Sequence, residues 1–288
     1  MPAMSGADLS RFSPDALKKL RVGSRLAQES AKRARSDFNR FCEYVLRDSD
    51  GSRIRQGEIH KSWNLHIEWC WENGVHPGIL APFGVGKTTQ CVVGRVAYEV
   101  GRNPNIRVKV VCNSDEKAKE RVAGIKNLMR TQAYRYVFPG IQILDGKLAK
   151  KARKTVKDTA HAFDVVKTSH YAQSIDPTVQ AVGVFATSTG GRADLLVFDD
   201  VVDERNALLN PALREQVIIK CENSFMTRLV TDGRVIYIGT PYHQADFSHE
   251  LMKKKAWCVL RQPVSESLAY YEQEVHGWRP GYPMPRLD

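Results

Sequence analysis

The stretch that most constrains the fold is a glycine-rich loop set between an apolar run and a helical pattern. The loop reads APFGVGKTTQ from Ala81 to Gln90. The residues before it, 77–80, predict a strand, and the residues after it, 91–97, repeat at helical spacing. Strand, glycine-rich loop and helix in this order are the structural context of a phosphate-binding P-loop. The chain is therefore predicted to be an α/β protein with a mainly parallel sheet flanked by helices.

The residue types within this loop match what a polyphosphate requires. The pattern GxxxxGK[ST] is satisfied through Gly86, Lys87 and Thr88, although Ala81 replaces its first glycine. The glycines would let backbone N–H groups turn towards the phosphates, Lys87 would reach the β- and γ-phosphates, and Thr88 would bind Mg²⁺. An ordinary strand-to-helix turn that carries a lysine is the alternative. The residues predicted to bind ATP in this loop are Gly84, Val85, Gly86, Lys87, Thr88 and Thr89.

A second stretch ends an apolar run in two carboxylates, since residues 195–200 read LLVFDD. Four consecutive apolar residues predict a strand that is buried on both faces, as central strands of parallel sheets are. Such a strand would deliver its acids to the carboxyl edge of the sheet, where the P-loop also begins. Asp199 is therefore predicted to hold Mg²⁺, and Asp200 to orient and deprotonate the attacking water.

Arg192 lies just before the acidic strand, in the segment GGRAD. Its guanidinium is predicted to approach a γ-phosphate, in its own subunit or in a neighbouring one, and to stabilise transition-state charge as an arginine finger does. The alternative is a structural arginine that pairs with Asp194 or Asp203.

A further predicted strand, 234–238, ends in the dipeptide Gly239-Thr240. If this strand lies beside the acidic one, the Thr240 hydroxyl is placed to sense the γ-phosphate and to pass its loss to a moving element. The alternative is that Thr240 is only a turn residue. Upstream of the P-loop, Gln56 is the candidate for an amide contact with the adenine edge, and a surface glutamine is the equal alternative.

The remaining patterns complete an alternation of helices and strands. Amphipathic spacing predicts one long helix from about Pro14 to Arg47 with a basic outer face. Further helices are predicted at 56–72, from Asn113 to about Arg130 and at 210–226, and further strands at 106–112 and 180–185.

The charge balance favours a polyanionic partner. Forty-three Lys and Arg residues against 32 Asp and Glu residues give a net charge of +11 and a pI near 9.4. This excess suits nucleic acid better than an acidic small substrate, and a merely basic protein is the alternative. The densest basic run is 148–157, in which the predicted contacts with DNA phosphates are Lys150, Lys151, Arg153 and Lys154.

The six cysteines are scattered singly through the chain, with no CxxC pair and no Cys/His cluster at zinc spacing. They are predicted to be reduced, mostly buried thiols. No apolar run approaches the roughly 20 residues of a membrane span, and the polar N-terminus lacks a signal-peptide core. The sequence therefore predicts a soluble intracellular protein.

Three ordered motifs, GVGKTT, GGRADLLVFDD and VIYIGTPYH, resemble those of the ATPase domain of the large terminase subunit, which pumps DNA into the capsids of tailed phages. The resemblance covers roughly residues 56–260. It implies a P-loop NTPase of the additional-strand catalytic-acid type, with ATP and Mg²⁺ as cofactors. The partners it implies are double-stranded DNA, the portal protein and prohead, and the small terminase subunit. It also implies a host-cytoplasmic protein without a membrane, monomeric in solution and assembled as a homo-oligomeric ring on the portal.

Two departures from the family's pattern affect the implied roles. Phe83 stands where terminases often carry an arginine in the P-loop, which shifts the finger role towards Arg192. The catalytic acid is commonly Glu in the family, whereas Asp200 is shorter by one methylene. Glu204 therefore remains an alternative base.

The resemblance also implies how the chain is divided. The stretch after Thr240 is too short for the RNase H-like nuclease of full-length large terminases, so we expect the motor half alone. The expected parts are an N-terminal helical segment at 1–55, the ATPase domain at 56–262 and a tail or linker at 263–288. The competing interpretations are a helicase-type ATPase, for which the chain lacks a second set of motor motifs, and a nucleotide switch or kinase, for which it lacks an Arg-rich lid.

Overall fold

The computed structural model describes residues 14–48, 50–144, 158–168, 176–187, 190–263 and 273–283, with side chains from residue 25 onward. The basic run with Lys150, Lys151, Arg153 and Lys154 lies outside these ranges. Within them, no helix has both the length and the apolar character needed to cross a membrane.

The described chain alternates helices and strands. The helices are α1 (Pro14–Ser36), α2 (Phe38–Val45), α3 (Glu58–Glu72), α4 (Arg95–Arg102), α5 (Asp115–Arg130), α6 (Gln132–Val137), α7 (Pro211–Ile219) and α8 (Phe247–Met252). The strands are β1 (His76–Leu80), β2 (Val108–Cys112), β3 (Ala162–Phe163), β4 (Val179–Gly183), β5 (Ala193–Asp199), β6 (Leu229–Gly239), β7 (Trp257–Arg261) and β8 (Glu274–His276). Wider π-helical turns at Thr88–Gly94 and Lys220–Phe225 lead into α4 and extend α7.

The strands form one sheet in the order β3-β4-β2-β5-β6-β1-β7-β8. The inner pairings from β4 to β7 are all parallel, and the outer strands β3 and β8 pair antiparallel. The strand before the P-loop is β1, and the acidic strand is β5. One additional strand, β6, lies between them and pairs with both. This order confirms a P-loop fold of the additional-strand type.

Strand β5 illustrates how helices cover both faces of the sheet. Val197 belongs to a core built with α2, α4, α5 and α6 on one face. Phe198 belongs to the core on the other face, where its ring lies 5.8 Å from that of Phe247 and 6.4 Å from that of Phe225. All residues of β5 except Asp194 are buried. The predicted central strand, with an unbroken apolar run, is therefore confirmed.

The predicted long helix from Pro14 to Arg47 is wrong, because the chain breaks at Asp37. Asp37 is extended, and its carboxylate accepts a hydrogen bond from the Arg40 backbone N–H at 3.0 Å, which caps a new helix, α2. The break lets Phe38 and Phe41 turn into the core, where they pack against Tyr98. The helical segment thus shares its core with the sheet, and the division at residue 55 stays a prediction.

Candidate active site

The P-loop backbone forms an open cradle between β1 and the following helix. Gly84 and Gly86 have φ of +79° and +80°, a left-handed conformation that L side chains rarely adopt. An added Cβ at Gly84 would meet nothing within 4 Å, and at Gly86 only the His60 ring, at 3.8 Å. His60, on α3, also supports the loop because its Nε2 lies 3.0 Å from the Val85 carbonyl oxygen. Sequence analysis missed His60, and its spacing from the loop carries no signal for it.

Lys87 is almost fully buried and contacts the end of β6. Its Nζ donates to the carbonyl oxygens of Ala81 and Pro82, the latter at 2.9 Å, and to the Thr240 hydroxyl at 2.8 Å. Thr240 in turn donates to the Ala81 carbonyl at 3.1 Å. Burial lowers the pKa of Lys87, and the charges of Asp200 and Asp199 oppose that shift. The hydroxyl predicted to sense the γ-phosphate is therefore bonded to the P-loop lysine.

Gly239 joins the same corner through its backbone. Its carbonyl accepts from the Ala81 N–H at 3.2 Å, and its Cα pairs with that of Leu80 across the sheet. A Cβ at Gly239 would lie 2.8 Å from the Tyr237 hydroxyl, so a side chain at this position would displace the Tyr237 ring. The predicted coupling dipeptide thus lies against the first residue of the P-loop.

Asp199 is the buried centre of the acidic group. The Thr88 hydroxyl donates to its Oδ1 at 3.2 Å, which joins the two predicted Mg²⁺ ligands. Arg121, on α5, donates from Nε to the other carboxylate oxygen. Arg121 was missed by the sequence analysis. It reaches Asp199 because β2, the strand before α5, pairs with β5 at Cys112 and Asp199, and local patterns do not reveal that neighbour relation.

Asp200 combines a strained backbone with a carboxylate oxygen that accepts no hydrogen bond, as catalytic carboxylates often do. Its φ is +46°, the one positive value outside glycine in the described ranges, and its N–H donates to the Ile238 carbonyl at 2.9 Å. Its Oδ1 is buried without a hydrogen-bond partner among the described residues. Burial, aided by the charge of Asp199, raises the pKa of Asp200 to about 6.

The alternative base, Glu204, is exposed in the turn that follows β5. Burial raises the pKa of Tyr242, and the negative charges of Asp200, Asp203 and Glu204, which follow the carboxyl end of β5, add to that shift. The Tyr242 ring also lies 6.2 Å from that of Phe83, the exposed aromatic residue of the P-loop. Both candidate bases therefore lie on the P-loop side of the sheet.

Arg192 does not lie at this site. It precedes β5 at the opposite edge of the sheet, and seven residues at about 3.3 Å each separate it from Asp199 by roughly 20 Å. A role in its own subunit's site is therefore wrong, because the strand carries the chain away from Arg192. The predicted structural pairings are wrong too: Asp194 pairs with Arg107 at 2.7 Å, and Asp203 accepts from Asn113.

Gln56 is buried beneath the helix that follows the P-loop. Its Nε2 donates to the Gln90 side chain at 2.8 Å, and its backbone N–H donates to the Glu43 carboxylate at 3.1 Å. The surface-glutamine alternative does not hold, because Gln56 is only 6% exposed. Its contact with adenine stays a prediction. Thr89, by contrast, is exposed beside the loop.

No family model matches the chain. In sequence it is similar to the terminase large subunit of Enterobacteria phage T3, with 26% identity over 205 residues. That match covers 70% of this chain and 32% of the relative, so the chain spans about a third of the length of the curated relative it matches.

Solved structures of large terminases are also similar at low sequence identity. The large terminase of a thermophilic bacteriophage in complex with ADP matches with 13% identity and a TM-score of 0.42, over 70% of this chain and 44% of that chain. A variant of the ATPase domain of Thermus phage P74-26 large terminase matches with 13% identity and a TM-score of 0.42. That match covers 72% of this chain and 75% of the P74-26 chain. The HK97 bacteriophage large terminase matches with 15% identity and a TM-score of 0.44. That match covers 76% of this chain and 40% of the HK97 chain.

The fold itself is defined by the strand order of the sheet and the backbone geometry of the P-loop. The sequence match covers 70% of this chain. The similarity to the T3 protein therefore confirms the resemblance to the large terminase subunit of tailed phages.

Proposed function

We propose that this chain is the ATP-hydrolysing motor that translocates viral double-stranded DNA into a prohead. The observation that carries the proposal is the position of β6 between β1 and β5. It lets Lys87 donate a hydrogen bond to the Thr240 hydroxyl, while Thr88 donates one to Asp199. The proposed hydrolytic residues and the Thr240 hydroxyl, which would sense the γ-phosphate, therefore lie together at the carboxyl edge of the sheet. The sequence similarity to the T3 terminase large subunit supports a packaging motor over other P-loop activities.

ATP fits the P-loop because the backbone at Gly84 and Gly86 leaves open space where side chains would stand. Lys87 would neutralise phosphate charge in exchange for its bonds to loop carbonyls. Thr88 and Asp199 would hold Mg²⁺, since hydroxyl and carboxylate oxygens are ligands that this ion takes. The metal would supply charge neutralisation at the phosphates.

Hydrolysis needs a group that orients water and accepts its proton. Asp200 is proposed for this role because its Oδ1 is buried without a hydrogen-bond partner in the described part of the chain. Glu204 is the alternative. Arg192 is proposed to act on the site of a neighbouring subunit, since it is exposed at the far edge of its own sheet.

The partners proposed with this function are double-stranded DNA, the portal protein and prohead, and the small terminase subunit. The net charge of +11 suits a polyanion, and the proposed phosphate contacts are Lys150, Lys151, Arg153 and Lys154. The working form is a homo-oligomeric ring on the portal in the host cytoplasm, and the chain is proposed to be a monomer in solution.

The P-loop assignment is tested by Lys87→Ala. We expect loss of ATP turnover and of most ATP affinity with an intact fold, because no other side chain of the loop brings positive charge to the phosphates. Isothermal titration with Mg·ATP and a phosphate-release assay measure both. Lys117→Ala is the matched control, since Lys117 is half-exposed on α5 and pairs with Glu120. Unchanged affinity and turnover in Lys87→Ala would contradict the assignment.

The motor assignment needs a separate test, because an ATPase need not translocate. We expect ATP turnover to rise when the small terminase subunit or portal-bound proheads are added, and packaged DNA to become resistant to nuclease. Stimulation by single-stranded nucleic acid alone would favour a helicase-type ATPase. Phosphate transfer to a small acceptor would favour a kinase. Either result would leave the P-loop assignment standing and remove the packaging function.

A further inference from the structure

The loop that carries Arg192 is held at three points, whereas the Arg192 guanidinium is not held at all. Arg192 is exposed, and its guanidinium makes neither a hydrogen bond nor an ion pair with any other described residue. The backbone around it contacts charged side chains from two other segments: Arg107 and Lys109 at the start of β2, and Asp176 before β4. A side chain without a partner on a fixed backbone is preorganised to contact a group outside its own subunit.

Asp176 holds the turn that immediately precedes Arg192. Its Oδ2 accepts a hydrogen bond from the Arg192 backbone N–H at 3.1 Å. Gly191 has a φ of +85°, and a Cβ added there would lie 2.2 Å from the Asp176 Oδ1. The turn therefore needs glycine at 191, both for the left-handed backbone and because the carboxylate packs directly against it. The carboxylate thus fixes the direction in which the chain enters Arg192.

Two cations at the start of β2 hold the loop on either side of this turn. Lys109 is only 3% exposed, and its Nζ donates to the Gly190 carbonyl. A buried ammonium needs such acceptors, because removing its charge from water is costly. Beyond Arg192, the Arg107 guanidinium donates to both carboxylate oxygens of Asp194, at 2.9 and 2.7 Å. A bidentate pair of this kind fixes direction as well as distance, so the backbone is held both before and after Arg192.

The place of this loop in the sheet indicates which nucleotide site it can serve. The loop precedes β5 at the amino edge, whereas the P-loop and Asp199 lie at the carboxyl edge. A guanidinium at one edge can reach a phosphate at the other edge only if the two edges belong to different copies of the chain. Contacts between unlike surfaces of identical copies repeat head to tail, and they close into a ring where the rotation allows.

We propose that Asp176 is a positioning residue for Arg192, fixing the backbone from which the guanidinium reaches the nucleotide site of the neighbouring subunit. The inference rests on the proposed ATPase and on the proposed role of Arg192 across the interface. An arginine finger contributes about 10³ to 10⁵ in rate, and a misplacement of about 1 Å can cost about 10²-fold. Asp176 therefore affects the rate although its carboxylate does not touch the nucleotide.

The test compares turnover by the isolated chain with turnover on proheads. Asp176→Ala should leave the slow ATPase of the monomer unchanged, because its own P-loop and acids are intact, and should lower assembled turnover by about 10²-fold. Asp176→Asn should keep most of the assembled activity, since its amide oxygen can still accept the Arg192 N–H. Asp50→Ala is the matched control, because that carboxylate accepts the Ser52 backbone N–H at 2.8 Å in a turn between α2 and α3.

Mixed assemblies show on which side of the interface Asp176 acts. Asp176→Ala mixed with Asp200→Asn should regain part of the turnover, because some interfaces join an intact Asp200 site to a neighbour with an intact Arg192 loop. Asp176→Ala mixed with Arg192→Ala should regain none, since every subunit then presents a defective loop. If Asp176 supported its own subunit's nucleotide site, these two outcomes would be reversed and the proposal would be rejected.

Assembled Asp176→Ala protein as active as the wild type would also overturn the positioning role, provided that Arg192→Ala and Asp200→Asn complement each other in the same preparation. Failure of that Arg192 mixture would instead remove the role of Arg192 across the interface, and this inference with it. If Asp176→Ala fails to fold, Gly191→Ala supplies the same comparison, because its added Cβ would displace the loop from Asp176. Folded Gly191→Ala with full assembled activity would equally reject the proposal.

Discussion

Asp200 and Asp199 are adjacent in sequence but differ in what surrounds them. Asp199 is bonded by Thr88 and Arg121, whereas the Oδ1 of Asp200 has no partner in the described part of the chain. A left-handed backbone at Asp200 turns the chain at the end of β5, and such strain in a residue other than glycine costs about 1 to 3 kcal/mol. The pair thus separates a carboxylate that is paired from one that is available to accept a proton.

At this scale we expect Asp200→Asn to bind ATP without hydrolysing it, because the amide can hold a water molecule but cannot accept its proton. Glu204→Gln should turn over ATP at close to the wild-type rate, since Glu204 is exposed in the turn beyond β5. Single-turnover hydrolysis and ATP titration measure the two properties separately. The reverse pattern, with Asp200→Asn active and Glu204→Gln inactive, would assign the base to Glu204.

Arg121 is the cation that pairs with the buried Asp199 carboxylate. Arg121→Ala leaves the buried Asp199 carboxylate without its cation, so we expect a loss of up to about 3 kcal/mol in the free energy of unfolding without metal. Mg·ATP should restore more stability to the variant than it adds to the wild type, because the metal replaces the missing charge. Thermal unfolding with and without Mg·ATP measures this difference. Arg130→Ala, an exposed position on the same helix, is the control, and equal gains in Arg121→Ala and wild type would contradict the role.

At the scale of elements, most of the predicted helices and strands are confirmed because their signals are local. Helix α3 begins at Glu58 against a predicted start at Gln56, and α5 begins at Asp115 against a predicted start at Asn113, with the Ser114 hydroxyl as its cap. The break at Asp37 was missed because the apolar spacing continues through it. A capping aspartate followed by two phenylalanines was the available signal for α2.

Gly101 of helix α4 packs closely against an aromatic cluster. An added Cβ at Gly101 would lie 2.3 Å from the Phe138 ring, which packs among Phe41, Tyr98 and Tyr134. Alanine normally stabilises a helix interior by about 1 kcal/mol relative to glycine. Here we expect Gly101→Ala to destabilise the chain by about 1 to 3 kcal/mol, because the aromatic cluster has to shift.

Urea unfolding measures the change in free energy for Gly101→Ala. Gly124→Ala on α5 is the matched control, because its added Cβ would meet only Val93, at 3.3 Å. We expect the Gly101 variant to be the less stable of the two. A Gly101→Ala protein as stable as the wild type would show that the aromatic cluster adjusts without cost.

At the scale of the whole molecule, the sheet separates Arg192 from its own nucleotide site. The P-loop, Asp199 and Thr240 lie at the carboxyl edge of the parallel strands, and Arg192 lies at the amino edge of β5. Phe83 occupies the P-loop position where the resembled family often has an arginine. The guanidinium of Arg121 does reach this site but is paired with Asp199, so an arginine finger is expected from a neighbouring subunit of a ring.

We therefore expect the monomer to be a slow ATPase, lacking a contribution of typically about 10³ to 10⁵ in rate, and assembly to raise activity. Mixing Arg192→Ala with Asp200→Asn subunits should restore partial turnover, because some interfaces join an intact Asp200 site to a neighbour's intact Arg192. Each variant assembled alone is the control. Absence of any recovery in the mixture would discard the role of Arg192 across the interface and leave the ATPase assignment unaffected.

The P-loop, the buried acidic strand and the Gly239-Thr240 strand end could be predicted from the sequence alone, because each is a contiguous pattern whose chemistry follows from residue type and spacing. Which side chains come into contact could not be predicted in this way. The contact of Arg121 with Asp199, the pairing of Arg107 with Asp194, and the removal of Arg192 to the far edge all depend on strand order. Strand order is set by burial summed over long-range pairings, and no local stretch of sequence records which strands become neighbours.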